Sequence, residues 1–111
     1  MDALVDDIVV SADEMAKNAR QACEFLKAMS HETRLRVLCI LMEGEKSVSE
    51  LEESLGIRQA SVSQQLQRLR AERMVVTRRD GKAVYYSLAS SEAREVISVL
   101  YKLFCAQNKC H

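Results

Sequence analysis

The sequence predicts a small, mainly α-helical domain that carries one β-hairpin. The chain has 111 residues, which is the size of a single domain. It contains no proline and only three glycines, so helices joined by few tight turns are expected. One stretch, "MVVTRRDGKAVYYSL" at residues 74–88, departs from the helical pattern because β-prone residues flank an Asp-Gly turn.

The composition is that of a soluble globular protein, with 48% hydrophobic and 29% charged residues. The longest apolar run, "VLCILM" at residues 37–42, is too short to span a membrane. The acidic start "MDALVDDIVV" lacks the basic flank of a signal peptide, so we expect a cytoplasmic, reducing location. In that setting cysteines are more often free, redox-active or metal-binding than joined in a disulfide framework. The chain has four: Cys23, Cys39, Cys105 and Cys110.

The charge is unevenly distributed, although the net charge is zero. Residues 1–57 hold 6 basic and 12 acidic side chains, whereas residues 58–82 hold 7 basic and only 2 acidic ones. A local excess of positive charge attracts the phosphates of nucleic acid, but it also describes an ordinary solvated helix face. The charge pattern alone leaves both interpretations open.

Two helices are predicted in the first half of the chain, after an extension over residues 1–12 that is expected to be flexible. Residues 13–29 place apolar side chains at helical spacing. Ser30 is a suitable N-cap for a second helix that runs to about Glu43 and is stopped by Gly44. Because apolar side chains cover most of its circumference, we expect the second helix at the centre of the core.

The next two segments form a helix-turn-helix pattern. "SVSELEESLG" opens with Ser47 and has Glu50 three residues later, which is the pattern of a capping box, and Gly56 ends this helix. The helix in "RQASVSQQLQRLRAER" has an apolar side, formed by Val62, Leu66 and Leu69. Small, amide and basic side chains point the opposite way: Ala60, Ser61, Gln64, Gln67 and Arg68.

A basic hairpin and a last helix complete the domain. Three basic side chains lie at or near the hairpin tip: Arg78, Arg79 and Lys82. Ser90 is predicted to cap a helix that extends to about Ala106. The predicted order of elements, α1-α2-α3-α4-β1-β2-α5, is that of a winged helix-turn-helix domain over residues 13–107, with a tail over residues 108–111.

The exposed side of the second helix of this motif suits recognition of double-stranded DNA. A helix fits the major groove with its first turns closest to the base edges. Glutamine can pair bidentately with adenine, and serine can donate to or accept from several bases. Arg68 and the hairpin arginines are long enough to reach phosphates and to fix the register. The same fold used only for protein contacts is the alternative, and it gives no reason for a basic hairpin.

Three stretches resemble the ArsR/SmtB family of bacterial repressors over about residues 20–106: "MSHETRLRVLCIL", "SVSELEESLGIRQASVSQQLQRLRAERMV" and "RRDGKAVYYSL". The resemblance implies a homodimer that pairs through its first and last helices and binds operator DNA until an inducer reaches a sensor site. It also implies that the three basic hairpin residues lie in the wing. Four side chains are implied to face bases: Gln59, Ser61, Ser63 and Gln64. Members of the family often have histidine at the position of Gln64, so the preferred operator stays open.

The pair Cys39 and Cys105 resembles the dithiol of the persulfide-sensing branch of that family, the BigR, SqrR and HlyU type. The resemblance implies that reactive sulfur species oxidise this pair and that the protein then releases DNA. A relaxed disulfide needs Cα atoms about 4.4–6.8 Å apart, and each inserted sulfur adds about 2 Å of reach. We therefore predict sulfurs held too far apart for a relaxed disulfide in the reduced form, and one thiol with a lowered pKa as the attacking group. An inert core cysteine is the alternative for Cys39.

A metal- or metalloid-responsive repressor of the same fold is the alternative function. Cys105, Cys110 and His111 would then gather a thiophilic ion, with Cys23 as a further thiolate, although no spacing supports such a site. His31 is expected to cap a helix or to lie at the surface, and no metal site or cofactor is predicted. Neither an activating base nor a C-x-x-C motif is present, so we do not expect an enzyme. Cys23 and Cys110 are expected to be dispensable.

Overall fold

The computed structural model describes residues 11–106, which form five α-helices and one three-stranded antiparallel sheet. In chain order the elements are α1 (Ala12–Met29), α2 (Glu32–Leu41), β1 (Lys46–Ser47), α3 (Val48–Leu55), α4 (Gln59–Ala71), β2 (Val75–Asp80), β3 (Ala83–Leu88) and α5 (Ser91–Tyr101). The predicted mainly α-helical, winged helix-turn-helix fold is confirmed. The predicted extension and tail lie outside the described residues, except that Ser11 caps α1 and Ala12 begins it.

The junction between α1 and α2 differs by one residue from the prediction. Ser30 does not cap α2, because its backbone N–H closes α1 by donating to the carbonyl of Lys27 at 3.1 Å. The N-cap is His31, whose Nδ1 accepts a hydrogen bond from the backbone N–H of Thr33 at 3.1 Å. The imidazole of His31 therefore forms the N-cap hydrogen bond that was predicted for the hydroxyl of Ser30. The expectation that His31 caps a helix is confirmed. The helix ends at Leu41, two residues earlier than predicted.

The helix-turn-helix has the predicted signals at both ends of α3. The hydroxyl of Ser47 accepts from the Glu50 N–H at 3.1 Å, and the Glu50 carboxylate accepts from the Ser47 N–H at 2.8 Å, which completes a capping box. At the other end Gly56 adopts φ +67°, a left-handed conformation that glycine reaches without strain. Its N–H donates to the carbonyl of Glu52 at 2.8 Å, so the turn into α4 begins at a defined residue.

The Ser47→Ala variant is expected to unfold about 1 kcal/mol more easily than the wild type, because it loses one hydrogen bond of the capping box and leaves a backbone donor without its partner. Urea denaturation measures this difference. The matched control is Ser49→Ala, which removes an exposed hydroxyl within the same helix and is expected to leave the free energy of unfolding nearly unchanged. Equal stability of the two variants would contradict a contribution of the capping box.

The core surrounds α2, as predicted. Val37 and Leu38 of α2 have no exposed surface, and Leu41 is almost fully buried. The other helices, β2 and the residue that precedes β2 contribute further buried apolar side chains: Met29, Leu51, Leu55, Val62, Leu66, Leu69, Met74, Val75 and Ile97. Because the predicted apolar side of α4 is buried, its opposite side necessarily faces outward.

The sheet contains one strand that the sequence did not indicate. Its strand order is β1-β3-β2, so the two-residue strand β1 adds to the predicted hairpin of β2 and β3. In the register, Tyr85 lies between Ser47 of β1 and Arg78 of β2. Residues opposite one another share a face of the sheet, whereas successive residues alternate, so Arg78 and Arg79 point to opposite faces of the wing.

The helices α1 and α5 expose apolar side chains. Met15 and Leu26 of α1 and Val99 of α5 are each more than half exposed, and so are Leu103 and Phe104 of the π-helical turn, Lys102–Ala106, that continues α5. The predicted extent of the last helix is therefore right, but its final turn is wound more widely than an α-helix. Among residues 11–106, no helix is long and apolar enough to span a membrane.

Candidate nucleic-acid interface and thiol site

The outward side of α4 presents the predicted recognition residues. Gln59, Ser61, Gln64 and Arg68 are exposed, and Ser63 is half-buried. Arg68 forms an ion pair with Glu72, one turn further along the helix, at 3.6 Å. An exposed i,i+4 pair of this kind contributes little stability and leaves the guanidinium free to exchange partners.

A buried arginine, which the sequence analysis did not single out, holds α4 against the preceding helices. Arg34 is 9% exposed, and its Nε donates to the carbonyl of Ala28 at 2.6 Å. The two terminal nitrogens donate to the carbonyl of Lys27 at 3.2 Å and to the Gln65 side-chain oxygen at 2.7 Å. Arg34 therefore joins the end of α1, the start of α2 and the side of α4 next to its exposed face. The apolar positions of α2 begin at Leu35, after Arg34, so no local pattern in the sequence singled this residue out.

The pKa of the Arg34 guanidinium is lowered by burial and, to a smaller extent, by the nearby charge of Arg68. The three hydrogen bonds offset the loss of hydration of this buried cation. Two positive charges therefore lie near one another at α4: Arg34 reaches the helix from α2 and is buried, whereas Arg68 belongs to α4 and is exposed.

The wing carries its basic residues in two different environments. Arg79 and Lys82 are exposed, and within the described residues neither takes part in a salt bridge. The guanidinium of Arg78 instead donates to both carboxylate oxygens of Glu45, at 2.9 and 2.8 Å, and lies 4.7 Å from the ring centre of Tyr85. These hydrogen bonds lower the pKa of Glu45 and raise the pKa of Arg78, so both groups stay charged.

The two predicted sensor thiols are exposed and unbridged. Cys39 lies on the outward side of α2, because the buried residues of this helix are Val37, Leu38 and Leu41. Cys105 lies in the π-helical turn after α5. Cys39 borders a groove of about 580 Å³ between α2 and α5, whose wall includes Ile97, Tyr101 and Lys102, and a smaller hollow of about 410 Å³ on its other side.

Burial raises the pKa of the Cys39 thiol, and the charge of Cys105 raises it further. The pKa of Cys39 is thus raised and not lowered, so the expectation of an activated thiolate does not apply to this residue. The inert core position considered for Cys39 is wrong, because its side chain is exposed.

Alkylation of Cys39 by iodoacetamide is expected to titrate at a pH above the ordinary range of a free thiol. Both causes of its raised pKa disfavour the thiolate, and the thiolate is the reacting form. In Cys105→Ser the midpoint is expected to move down towards the ordinary range, since the repelling charge is removed and partial burial remains. Peptide-resolved mass spectrometry across a pH series measures both midpoints, and a midpoint below the ordinary range would contradict the assignment.

Other candidate groups are less well placed. Cys23 is exposed on α1. Within residues 11–106, no three His, Cys, Asp or Glu side chains are grouped so that they could hold a metal ion. Cys110 and His111 of the alternative metal site lie outside the described residues.

The polar side of α4, positioned by α3, and the basic hairpin next to it define a winged-helix DNA-binding protein. A family model described as "Bacterial regulatory protein, arsR family" matches residues 31–77. The Biofilm growth-associated repressor of Xylella fastidiosa (strain 9a5c) is 43% identical over 100 residues, which cover 90% of this chain and 88% of that protein. The chain belongs to the arsR family and is a DNA-binding transcriptional repressor of this type, not an enzyme.

Solved structures of similar proteins have the same fold. The repressor BigR from Xylella fastidiosa has a TM-score of 0.83 and 42% identity, covering 87% of this chain and 99% of that one. Reduced HlyU from Vibrio cholerae N16961 has a TM-score of 0.79 and 42% identity, covering 83% and 97%. The homodimeric winged helix-turn-helix domain of Mb0332 from Mycobacterium bovis has a TM-score of 0.70 and 25% identity, covering 86% and 89%. The resemblance to the BigR and HlyU branch is thereby confirmed.

Proposed function

We propose that this protein is a homodimeric repressor that releases its operator when reactive sulfur species oxidise the Cys39/Cys105 dithiol. The observation that carries the proposal is a pair of exposed, unbridged thiols on a fold that presents a recognition helix and a wing. One thiol borders the groove between α2 and α5, and the other lies in the turn that continues α5. Neither thiol lies on α4 or in the wing, so oxidation would act on DNA binding through the protein and not by blocking the interface.

The contacts with DNA would come from α4 and from the wing. The first turns of α4 would reach base edges in the major groove, using Gln59, Ser61, Ser63 and Gln64. Arg68 and the wing residues Arg78, Arg79 and Lys82 would contact phosphates and fix the register. Of the four base-facing residues, Ser63 is half-buried and has the smallest surface to offer.

The homodimer part of the proposal follows from the apolar surface of α1 and α5. Five large apolar side chains of α1, α5 and the π-helical turn are more than half exposed: Met15, Leu26, Val99, Leu103 and Phe104. A second copy of the chain would cover them, as expected for a protein whose structural neighbour Mb0332 is a homodimer. Cytoplasmic location fits this function, since reduced thiols persist there.

A persulfide RSSH would oxidise the dithiol in three steps. One protein thiolate attacks the outer sulfur of a persulfide RSSH, takes that sulfur and releases RSH. The new protein persulfide reacts with a second RSSH to give a mixed trisulfide and H₂S, and the other protein thiol then displaces RSH. The product is a Cys39–S–Cys105 trisulfide, formed from two thiols and two RSSH with release of two RSH and one H₂S. Because its raised pKa disfavours the thiolate, we expect Cys39 to complete the bridge and not to begin it.

Mass spectrometry combined with operator binding tests this function. Reduced protein is treated separately with persulfide, peroxide and zinc, and each sample is measured intact, as peptides and in a DNA-binding assay. Inserted sulfur linking Cys39 to Cys105, together with loss of operator binding, is the expected result for persulfide. A directly bridged disulfide that forms readily with peroxide would contradict selectivity by sulfur length. Release by zinc with unmodified thiols would favour the metal-responsive alternative.

A further inference from the structure

Within residues 11–106, Arg78 is the one basic residue of the wing that forms a salt bridge with a carboxylate. Glu45 precedes β1, and β3 lies between β1 and β2, so the ion pair spans the width of the sheet. Tyr85 of β3 lies between the strands β1 and β2 at this point, because it is the cross-strand neighbour of both Ser47 and Arg78. Its ring supports the guanidinium at a distance of 4.7 Å.

The contact between Glu45 and Arg78 has the geometry with which arginine binds phosphate. Nε donates to one carboxylate oxygen at 2.9 Å and a terminal nitrogen donates to the other at 2.8 Å. A planar two-oxygen acceptor engages the same edge of the guanidinium as two oxygens of a phosphate. Glu45 therefore occupies the donors that a DNA backbone would use.

We propose that Glu45 is an internal competitor of DNA: it occupies the guanidinium of Arg78 in the free protein, must yield it to a backbone phosphate in the complex, and thereby lowers operator affinity. The inference rests on the proposed contact of the wing with DNA and names a residue that limits its strength. The exchange is feasible because solvent reaches both side chains and because a phosphate offers Arg78 the same two-oxygen contact that it loses with Glu45. Glu45 stays next to the bound backbone as an uncompensated negative charge, which opposes binding.

The charges around Arg78 support this direction of the effect. Asp80 is a second carboxylate, 4.0 Å from the guanidinium, so Arg78 faces two negative groups in the free protein. Arg79 lies on the opposite face of the hairpin, and no described carboxylate forms a salt bridge with it. The two arginines are adjacent in sequence, yet only Arg79 offers its full charge to DNA without an exchange.

The test is a salt titration of operator binding by the reduced full chain, with Glu45→Gln as the central variant. Glu45→Gln keeps the size of the side chain and removes its charge. We expect it to bind roughly three- to tenfold more tightly at low salt. We also expect the slope of log K against log[salt] to become more negative by about 0.9. The reason is that the charge of Glu45 no longer offsets the contact of Arg78 with one phosphate. Arg78→Gln is expected to weaken binding clearly in the Glu45→Gln background and only slightly in the wild-type background.

The matched control is Glu43→Gln, which removes the same charge from the same loop. Glu43 pairs with Lys46 at 3.6 Å and not with the wing, so its removal should have a smaller effect than that of Glu45. Melting curves check that every variant is folded. Glu45→Gln affinity equal to that of Glu43→Gln, or to the wild type, would overturn the inference.

Arg79→Gln and Lys82→Gln separate this inference from the proposal on which it rests. If both weaken binding while Glu45→Gln does not tighten it, the wing contacts DNA and the competition by Glu45 is refuted. If neither weakens binding, the wing contact is refuted, and the competition by Glu45 falls with it. Weakening by these two variants together with tightening by Glu45→Gln supports both.

Discussion

Persulfide is expected to leave operator binding by Cys39→Ser unchanged, while it weakens binding by the wild-type protein. Serine has nearly the size of cysteine, but its hydroxyl cannot become part of a sulfur chain, so no bridge to Cys105 forms. Cys39 is exposed and not part of the core, so the reduced variant should fold and bind DNA as the wild type does. For the wild type we expect roughly a 5- to 150-fold loss of affinity on oxidation, the ordinary range of coupling between two sites. Fluorescence anisotropy with labelled operator measures both proteins before and after treatment.

Cys105→Ser is expected to behave as Cys39→Ser does, because the bridge needs both sulfurs. Cys23→Ser is the matched control, since it removes an exposed thiol of α1 and should keep the full response. Release of DNA by persulfide from Cys39→Ser would mean that another cysteine senses the oxidant. Retained release from both single variants and loss in Cys23→Ser would place the sensor on α1.

The second large effect is expected at the recognition helix. Gln64→Ala should weaken binding to a specific operator roughly 5- to 150-fold, since a bidentate contact between a side chain and a base is worth about 1–3 kcal/mol. Gln64 is exposed and not part of the core, so the loss should come from the interface and not from unfolding. The measurement uses duplexes that the wild-type protein selects from a random pool, together with unrelated DNA of the same length.

Gln67→Ala provides the graded control for Gln64→Ala. Gln67 is also an exposed glutamine of α4, but it lies about one turn further from the N-terminus, where the helix rises away from the base edges. Gln67→Ala should therefore lower the affinity for the selected operator less than Gln64→Ala does. If Gln64→Ala reduced affinity for selected and unrelated DNA by the same factor, Gln64 would contact the backbone and not a base.

The local features of this fold were predictable because they depend on residues close together in the chain. The capping box of Ser47 and Glu50, the turn at Gly56 and the apolar side of α4 each follow from spacings of three to seven residues, and each is confirmed. The strand β1 was not predictable in this way, because two residues carry no alternating pattern. It forms only because β3 offers an edge for pairing.

The contacts that shape the candidate site join distant parts of the chain. Arg34 and Gln65 are 31 positions apart, and Glu45 and Arg78 are 33 apart. Local periodicity says nothing about such pairs, so Arg34 and Glu45 were not found from the sequence. The pairing of Cys39 with Cys105 came from resemblance, while the outward direction of Cys39 was available from the phase of α2, in which positions 37, 38 and 41 point inward.

The buried position of Arg34 has a consequence for how the recognition helix attracts DNA. A surface arginine such as Arg78 must leave its carboxylate partner before it can offer its full charge to a phosphate. Arg34 is 9% exposed and enclosed by two backbone carbonyls and a neutral amide, and among the described residues no carboxylate pairs with it. It therefore adds a fixed positive charge beneath α4, and this charge needs no exchange of partners when DNA approaches.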